Sequence, residues 1–413
     1  ICGVAGFAKN SQYPTPRPSG IRRMAFHLAA ILHRRTIRHL GKTGPLLSLT
    51  HAYRMDTLAS ECRNGPGSPP WVVLGESSQP FTGVGPMLRA LRALAGGLFL
   101  KQCGPYEAEV WLSLLERATE GNPGFTVQLQ KNLDEIASAA EGAVETFSHR
   151  GVDLSKVYSD KLRVGIGPAI QHLHRQVAAA DEMLELLQPR FMLTPFGRRS
   201  QHALGELGKK RGIPGLLVAH ASFTPFKNEL EEIAWTFHGD GLFNGSFTHA
   251  ALQTPMAEKF SRQLNSDVTF VPTGPLVWGS AVNRENSRAL REQIAPGRDG
   301  DRIIVHASTP HDRASTHFHV YETMDEYVET LKGLVMAVDK LPDVFLIIKA
   351  KPVPLGKKEL QALLPSSGRF TISVEEPFLD VLGMSDLLVS LSSTTVEEAL
   401  LNRVPVLFYG GDG

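Results

Sequence analysis

Ser385-Asp386-Leu387-Leu388-Val389-Ser390-Leu391-Ser392-Ser393-Thr394-Thr395-Val396-Glu397-Glu398-Ala399-Leu400 is the stretch that decides how this chain reads. A short apolar run, Leu387–Ser390, is bounded by polar residues and reads as a buried strand. It passes through hydroxyl residues into a short helical pattern beginning at Thr395. Two readings of that junction stand side by side. In one, the free N–H groups of the first helical turn and the hydroxyls of Ser392, Ser393 and Thr394 form a socket for phosphate, with Glu398 one turn on to hold a sugar hydroxyl. In the other, Thr394 is a plain N-cap and Glu397, three residues on, closes a capping box.

Working outward, the same alternation recurs on both sides. Before the stretch come the strand Arg302–His306, a helix over 324–341, the strand Val344–Ile348, the strand Phe370–Val374 and a short helix over 378–384. After it come a helix over 395–401 and a strand over 404–409. Strands alternating with helices predict a parallel sheet covered on both faces. Residues 70–280 repeat the pattern, with strands expected at 71–75, 190–194, 216–219, 248–252 and 268–271. Helices are expected at 87–100, 107–118, 127–147, 166–187, 200–211 and 255–264. The fold class is therefore α/β, two Rossmann-like doubly wound domains facing a cleft. The expected division is an irregular leader over 1–68, an N-terminal domain over 69–280, and a C-terminal domain over 281–413 that opens on a polar linker or surface helix.

Composition narrows the function classes. Of 413 residues, 43 are Lys or Arg and 42 are Asp or Glu, a net charge of +1. That balance argues against a nucleic-acid binder, which carries a basic excess. Cys2, Cys62 and Cys103 are three in number and lack metal-ligand spacing. No disulfide scaffold or metal site is expected, and a reducing cytoplasm is the default. The most apolar run, Met87–Cys103, is broken by Arg89, Arg92 and Lys101, so no membrane span is expected. The run from Ile21 to Leu40 is amphipathic and dense in arginine. It reads first as a solvated helix face, with an acidic partner or peripheral association with a membrane surface as the alternative.

The run from Asp386 to Tyr409, with Glu398-Ala399-Leu400 and then Val404-Pro405-Val406-Leu407, resembles the donor site of GT-B-fold enzymes. It is similar to bacterial surface-polysaccharide glycosyltransferases and their relatives, the UDP-N-acetylglucosamine 2-epimerases and CDP-glycerol glycerophosphotransferases. The resemblance implies that Ser392, Ser393 and Thr394 touch the donor phosphates and Glu398 the ribose. Many retaining members carry a second glutamate eight residues earlier, where this chain has Ser390, so the retaining class is not implied. Ile347-Ile348-Lys349-Ala350-Lys351-Pro352 resembles a strand and loop that reads "IKxHP" in the same proteins, with Lys349 or Lys351 offsetting phosphate charge. Ser308 and Arg313 lie in the loop after the strand 302–306, which in such folds faces the diphosphate, and Arg313 would clamp it bidentately. Arg211-Gly212-Ile213-Pro214 followed by Leu216–His220 resembles "GIPxxxxQHG" and makes His220 the candidate general base. Val271-Pro272-Thr273-Gly274-Pro275 resembles "VTGxP", with Gly274 permitting a tight turn.

The resemblance covers about 185–413. It implies transfer of a sugar from a nucleotide-activated donor to a glycan or lipid-linked acceptor, with no further cofactor. Epimerisation of a nucleotide sugar and glycerophosphate transfer are the alternatives within the fold, and an inactive truncated binding protein is another. Members continue with helices that pack back across the cleft, so the ending at Gly413 predicts that these helices are missing. Separately, Cys2-Gly3-Val4-Ala5-Gly6-Phe7, Arg22-Arg23-Met24 and His33-Arg34 resemble the start of class II glutamine amidotransferases, with His33-Arg34 at their "HRG" turn, although Arg35 replaces the glycine. That resemblance implies a fragment in which Cys2 would be the nucleophile.

Overall fold

The computed structural model describes residues 20–50, 55, 58–60, 62, 68–75, 106–118, 123–143, 145–198, 200–219, 224–264, 266–278, 280–308, 323–351, 355–391 and 393–409. Packing divides the chain into two compact units. The first is Ile1–Ala219, Asp240–Ala251 and Asn265–Val271, and the second is His220–Gly239, Leu252–Leu264 and Pro272–Gly413.

The first unit opens with helix α1 (Gly20–Gly41) and strands β1 (Leu46–Ser48), β2 (Trp71–Leu74) and β3 (Ala108–Val110). Helices α2 (Leu112–Ala118) and α3 (Pro123–Gly142) follow, then a small hairpin of β4 (Ser148–His149) and β5 (Val152–Asp153). Helix α4 (Ser155–Asp160) runs through one π-helical turn, Lys161–Ile166, into α5 (Gly167–Leu187). Strand β6 (Phe191–Thr194), helix α6 (Ser200–Lys210) and strand β7 (Gly215–Leu217) come next. Next along the chain come helices α7 (Glu229–Gly239) and α8 (Pro255–Ser261), which belong to the second unit, and strands β8 (His249–Leu252) and β9 (Thr269–Pro272), which complete the first unit's sheet. The sheet has the order β3-β2-β1-β6-β7-β8-β9. Its core joins Leu47, Val72, Ala108, Val110 and Met192 to Ile37 and Leu40 of α1 and to Met183, Leu184 and Leu187 of α5.

Two expectations are corrected here. The boundary after residue 68 falls inside this unit, because β1 pairs with β2 on one side (Leu46↔Trp71) and β6 on the other (Leu46↔Phe191). Residues 20–48 are therefore built into the sheet and its helical cover rather than forming an irregular leader. The expected helix at 107–118 is a strand followed by a shorter helix. Ala108–Val110 pair parallel with Val72–Leu74, and Gly75 N–H closes the ladder on Val110 O at 2.8 Å. Three residues are too few for a period of two to stand out from a helical period.

The second unit adds α9 (Arg284–Ile294), β10 (Arg302–Ala307), α10 (Met324–Val338), β11 (Val344–Lys349), α11 (Lys357–Leu363) and β12 (Phe370–Ser373). It ends with α12 (Phe378–Leu382), β13 (Leu387–Ser390), α13 (Thr395–Leu401) and β14 (Val406–Phe408). Its five parallel strands have the order β12-β11-β10-β13-β14. Side chains alternate between faces along each strand. Ile303, Val305, Ile347 and Leu388 pack with Val381, Val396 and Ala399 on one face. Leu346, Ile348 and Ile372 pack with Tyr327, Leu331, Val335 and Leu360 on the other. Burial on both faces explains why these strands read as continuous apolar runs. Each unit is thus a doubly wound α/β sheet, as the alternation predicted. The polar stretch 281–300 is mainly helix α9, N-capped by Asn283, whose Oδ1 accepts from the N–H groups of Glu285 and Asn286. No described helix is long and apolar enough to cross a membrane.

Candidate functional site

In the second unit the chain runs from β10 outward through β11 to β12, then returns to place β13 on the other side of β10. The seam between β10 and β13 is therefore a topological switch point, where adjacent crossovers diverge and leave room beyond the carboxyl ends of the strands. The register puts His306 beside Val389 and Ala307 beside Ser390, so Ser308 and Leu391 leave the sheet together. Lys349 ends β11 level with Ala307, and Ser373 ends β12 level with Lys349.

The hydroxyls at this edge are differently engaged. Ser308 is buried, and its Oγ lies 2.6 Å from the Tyr327 hydroxyl. Ser390 is buried, and its Oγ has no hydrogen-bond partner among the described residues. The same holds for Thr395 Oγ1. A buried hydroxyl without a partner costs about 1–3 kcal/mol.

The capping-box expectation for Thr394 and Glu397 is not met. Thr394 is in the right-handed helical region (φ −63°, ψ −8°) and makes no side-chain cap. Ser393 stands in its place, its Oγ accepting from Thr395 N–H at 3.4 Å and its carbonyl from Val396 N–H at 3.1 Å. Helix α13 begins at Thr395, where the pattern placed it, and the Thr394 hydroxyl is unused by the cap. Glu398 is buried on the inner face of α13. Its carbonyl accepts from both the backbone N–H and the side-chain amide of Asn402, at 3.1 and 2.9 Å. Asn402 also binds Val282 N–H (2.9 Å) and Ser280 O (3.2 Å).

The two lysines differ. Lys349 is half-buried and donates to Val374 O at the end of β12. Burial of the ammonium pushes it below the ordinary lysine value, and the carboxylates of Glu376 and Glu375 pull it partly back. Burial would raise the Glu376 carboxyl, but hydrogen bonds from Ser373 Oγ (2.7 Å) and backbone N–H groups, with the Lys349 charge, hold it below its usual range. Lys349 therefore serves the β11–β12 edge and its own carboxylates. Lys351, two residues on, is exposed. Gly274, just past β9, adopts φ +69°, a conformation that only glycine takes without strain, as the tight-turn expectation required. His220, Arg313 and Ser392 lie outside the described residues.

Three groups of residues lie outside the candidate donor-site residues. His306, wholly buried on β10, is bound through Nε2 to the Tyr409 hydroxyl at 2.9 Å. In the first unit β1 and β6 form a second switch point, whose strand ends carry Ser48, Thr50 and Thr194, all buried. Ser48 Oγ donates to Thr50 O (3.0 Å) and Thr194 Oγ1 to Phe196 O (2.7 Å). Leu46–Thr50 and Phe191–Thr194 share with Leu387–Ser390 an apolar run ending on a hydroxyl residue, and that signal was available. Finally, His33 is buried in the middle of α1. Its Nε2 accepts Trp111 N–H at 3.0 Å, and the two rings stack at 5.6 Å. Burial, reinforced by the Arg34 charge and opposed by the Trp111 bond, lowers its pKa to about 4. Arg34 forks onto Glu182 at 2.5 and 3.1 Å. Residues 33–35 thus sit inside one continuous helix rather than at the turn that the amidotransferase resemblance implied. Cys2 lies outside the described residues.

The sequence matches no family model and no curated protein. Among solved structures, the chain is similar to UDP-GlcNAc 2-epimerase from Neisseria meningitidis bound to UDP-GlcNAc, with 13% identity, a TM-score of 0.47, and coverage of 88% of this chain and 82% of that one. It is similar to the UDP-GlcNAc 2-epimerase from Methanocaldococcus jannaschii, with 13% identity, a TM-score of 0.46 and coverage of 88% and 82%. A third is the glycotransferase of kitacinnamycin, with 14% identity, a TM-score of 0.45 and coverage of 90% and 81%. At that distance the likeness carries no weight for activity, and the fold rests on the strand orders given above. Among the described residues no group of three metal-ligating side chains comes together.

Proposed function

We propose that the second unit binds the diphosphate of a nucleotide-activated sugar beyond the carboxyl ends of β10 and β13, and that the chain is a glycosyltransferase of the GT-B class. One observation carries the reading. The switch-point seam collects Ser308, Ser390, Ser393 and Thr395, two of them with hydroxyl oxygens that no described group satisfies, beside the buried Glu398. Anions are held by convergent hydroxyls and backbone N–H groups, and a carboxylate accepts from vicinal sugar hydroxyls. The same donors would stabilise charge that builds on the diphosphate as the glycosidic bond breaks. Lys351 and Arg313 would add positive charge. Lys349 would contribute less, since its ammonium is engaged at Val374. The first unit would take a glycan or lipid-linked acceptor; from the second unit, Gly274 would shape the chain after β9 and His220 would be the base that deprotonates the acceptor hydroxyl.

The experiment is incubation of the full chain with UDP-, CDP-, GDP- and ADP-sugars, with mass spectrometry of all products. Release of a nucleoside diphosphate with a glycosylated acceptor or free sugar supports transfer or hydrolysis. An isomerised nucleotide sugar would move the reaction to epimerisation. Absence of nucleoside diphosphate binding by folded protein overturns the reading.

A further inference from the structure

Two tyrosines from distant parts of the second unit hold the last residues of β10. Tyr327, in the first turn of α10, meets Ser308 Oγ at 2.6 Å, and Tyr409, just past β14, meets His306 Nε2 at 2.9 Å. The rings of His306 and Tyr327 lie 6.2 Å apart. We propose that Tyr327 is a positioning residue for anion binding at the switch point, its phenol donating to Ser308 Oγ so that the serine proton is left for an anionic ligand. This deepens the donor-site reading and rests on it.

Only one proton can lie in a 2.6 Å gap between two oxygens. Either hydroxyl could supply it, but the phenol is the more acidic and the better donor. Once a serine lone pair is occupied in this way, the serine O–H must point elsewhere, and Ser308 Oγ has no other hydrogen bond within the described structure. With the opposite polarity the serine would turn lone pairs toward the strand end and repel phosphate. Tyr327 is itself firmly placed. Thr323 caps α10, its Oγ1 accepting from Glu326 N–H at 3.3 Å while the Glu326 carboxylate accepts from Thr323 N–H at 2.6 Å. The tyrosine side chain then packs among Leu331, Leu346 and Ile348. A capped helix, a buried ring and a short hydrogen bond together set the direction of one hydroxyl proton at the site.

The test uses the full chain and calorimetric titration with UDP, CDP, GDP and ADP, followed by the parent nucleoside of whichever binds best. Tyr327→Phe keeps the ring and removes the donor. It is expected to weaken the nucleoside diphosphate about tenfold, the scale of one hydrogen bond to a charged group, while nucleoside affinity stays unchanged. Ser308→Ala should do the same, and the double variant should be no worse than either single one. Wild-type affinity in Tyr327→Phe overturns the inference, as does equal loss of nucleoside and diphosphate or additivity of the two changes. If Tyr327→Phe does not fold, Ser308→Ala removes the same bond from the other side and is judged by the same diphosphate-to-nucleoside ratio. If wild-type protein binds no nucleoside diphosphate, the donor-site reading itself falls and takes this inference with it.

Discussion

His33 makes the first unit sensitive to acid in a way that can be calculated. The imidazole is buried and neutral, accepting the Trp111 N–H, and its pKa lies at about 4 against 6.5 for the free side chain. Between those values the unfolded chain binds a proton that the folded chain refuses, so stability must fall as pH drops through that window. Above the unfolded value the contribution is constant, and below about pH 4 it is fully lost. Each pH unit inside the window is worth about 1.4 kcal/mol. Lowering the pH from about 7.5 to about 5 should therefore cost about 2 kcal/mol from this residue alone. His33→Gln is the matched control, because its amide oxygen can still accept from Trp111 N–H and does not titrate. Urea unfolding followed by tryptophan fluorescence, with Trp111 as a reporter within the unit, would be repeated across the window for both proteins. Carboxylates common to both cancel in the difference, which should be flat above pH 7 and then fall. Parallel stability profiles would show that His33 is not buried neutral in α1, and the helix placement of residues 33–35 would fall with it.

Other expectations follow from the same contacts. Ser390→Ala removes a buried hydroxyl without a partner, so thermal stability should hold or rise by about 1 kcal/mol while nucleoside diphosphate affinity drops; a clear loss of stability would contradict the placement. Asn402→Ala releases Val282 N–H, Ser280 O and Glu398 O together. It should cost the second unit about 2 kcal/mol, seen in chemical denaturation, with faster amide exchange at Val282. Ile37→Ala, at a fully buried position of α1, should destabilise the first unit by about 2–5 kcal/mol; a change near zero would restore the view of residues 1–68 as an irregular leader. Gly274→Ala, forced to hold φ +69°, should cost about 1 kcal/mol or more, measured by thermal unfolding.

The second sheet was legible because its strands are long and buried on both faces. Arg302–Ala307 and Val344–Lys349 are six residues each and nearly all apolar, and no helix period fits them. β1 and β3, three residues each, gave no such signal and became strands through pairing with partners that sequence does not reveal. The site divides similarly. Ser393, Thr394 and Glu398 were nominated as candidates because strand, turn and helix are consecutive there. The tyrosine at Ser308 was not, since α10 begins beyond the intervening loop, and Tyr409 reaches His306 across 103 positions. At Lys349 the fold adds what the sequence does not show: Val374 O and two glutamates lie against the lysine at the strand end. The capping box failed at Thr394 because that residue is itself helical in φ and ψ, whereas a capping side chain needs an extended backbone.

The double pairing of β1 also bears on how the first unit assembles during synthesis. β2 leaves the ribosome soon after β1, but the strand on the other flank is about 145 residues further along the chain. Until Phe191–Thr194 emerges, the β1 edge that will become the middle of the sheet stays unpaired, shielded by whatever α1 and the helices after β3 can cover. Closing so long a loop is entropically slow, and an exposed strand edge is the usual start of wrong pairings between chains. Expression yield and dependence on chaperones should therefore respond most to changes at this one seam, and less to equally buried positions in the second unit, where the widest separation between neighbouring strands, Ile304 to Leu387, is about 80 residues.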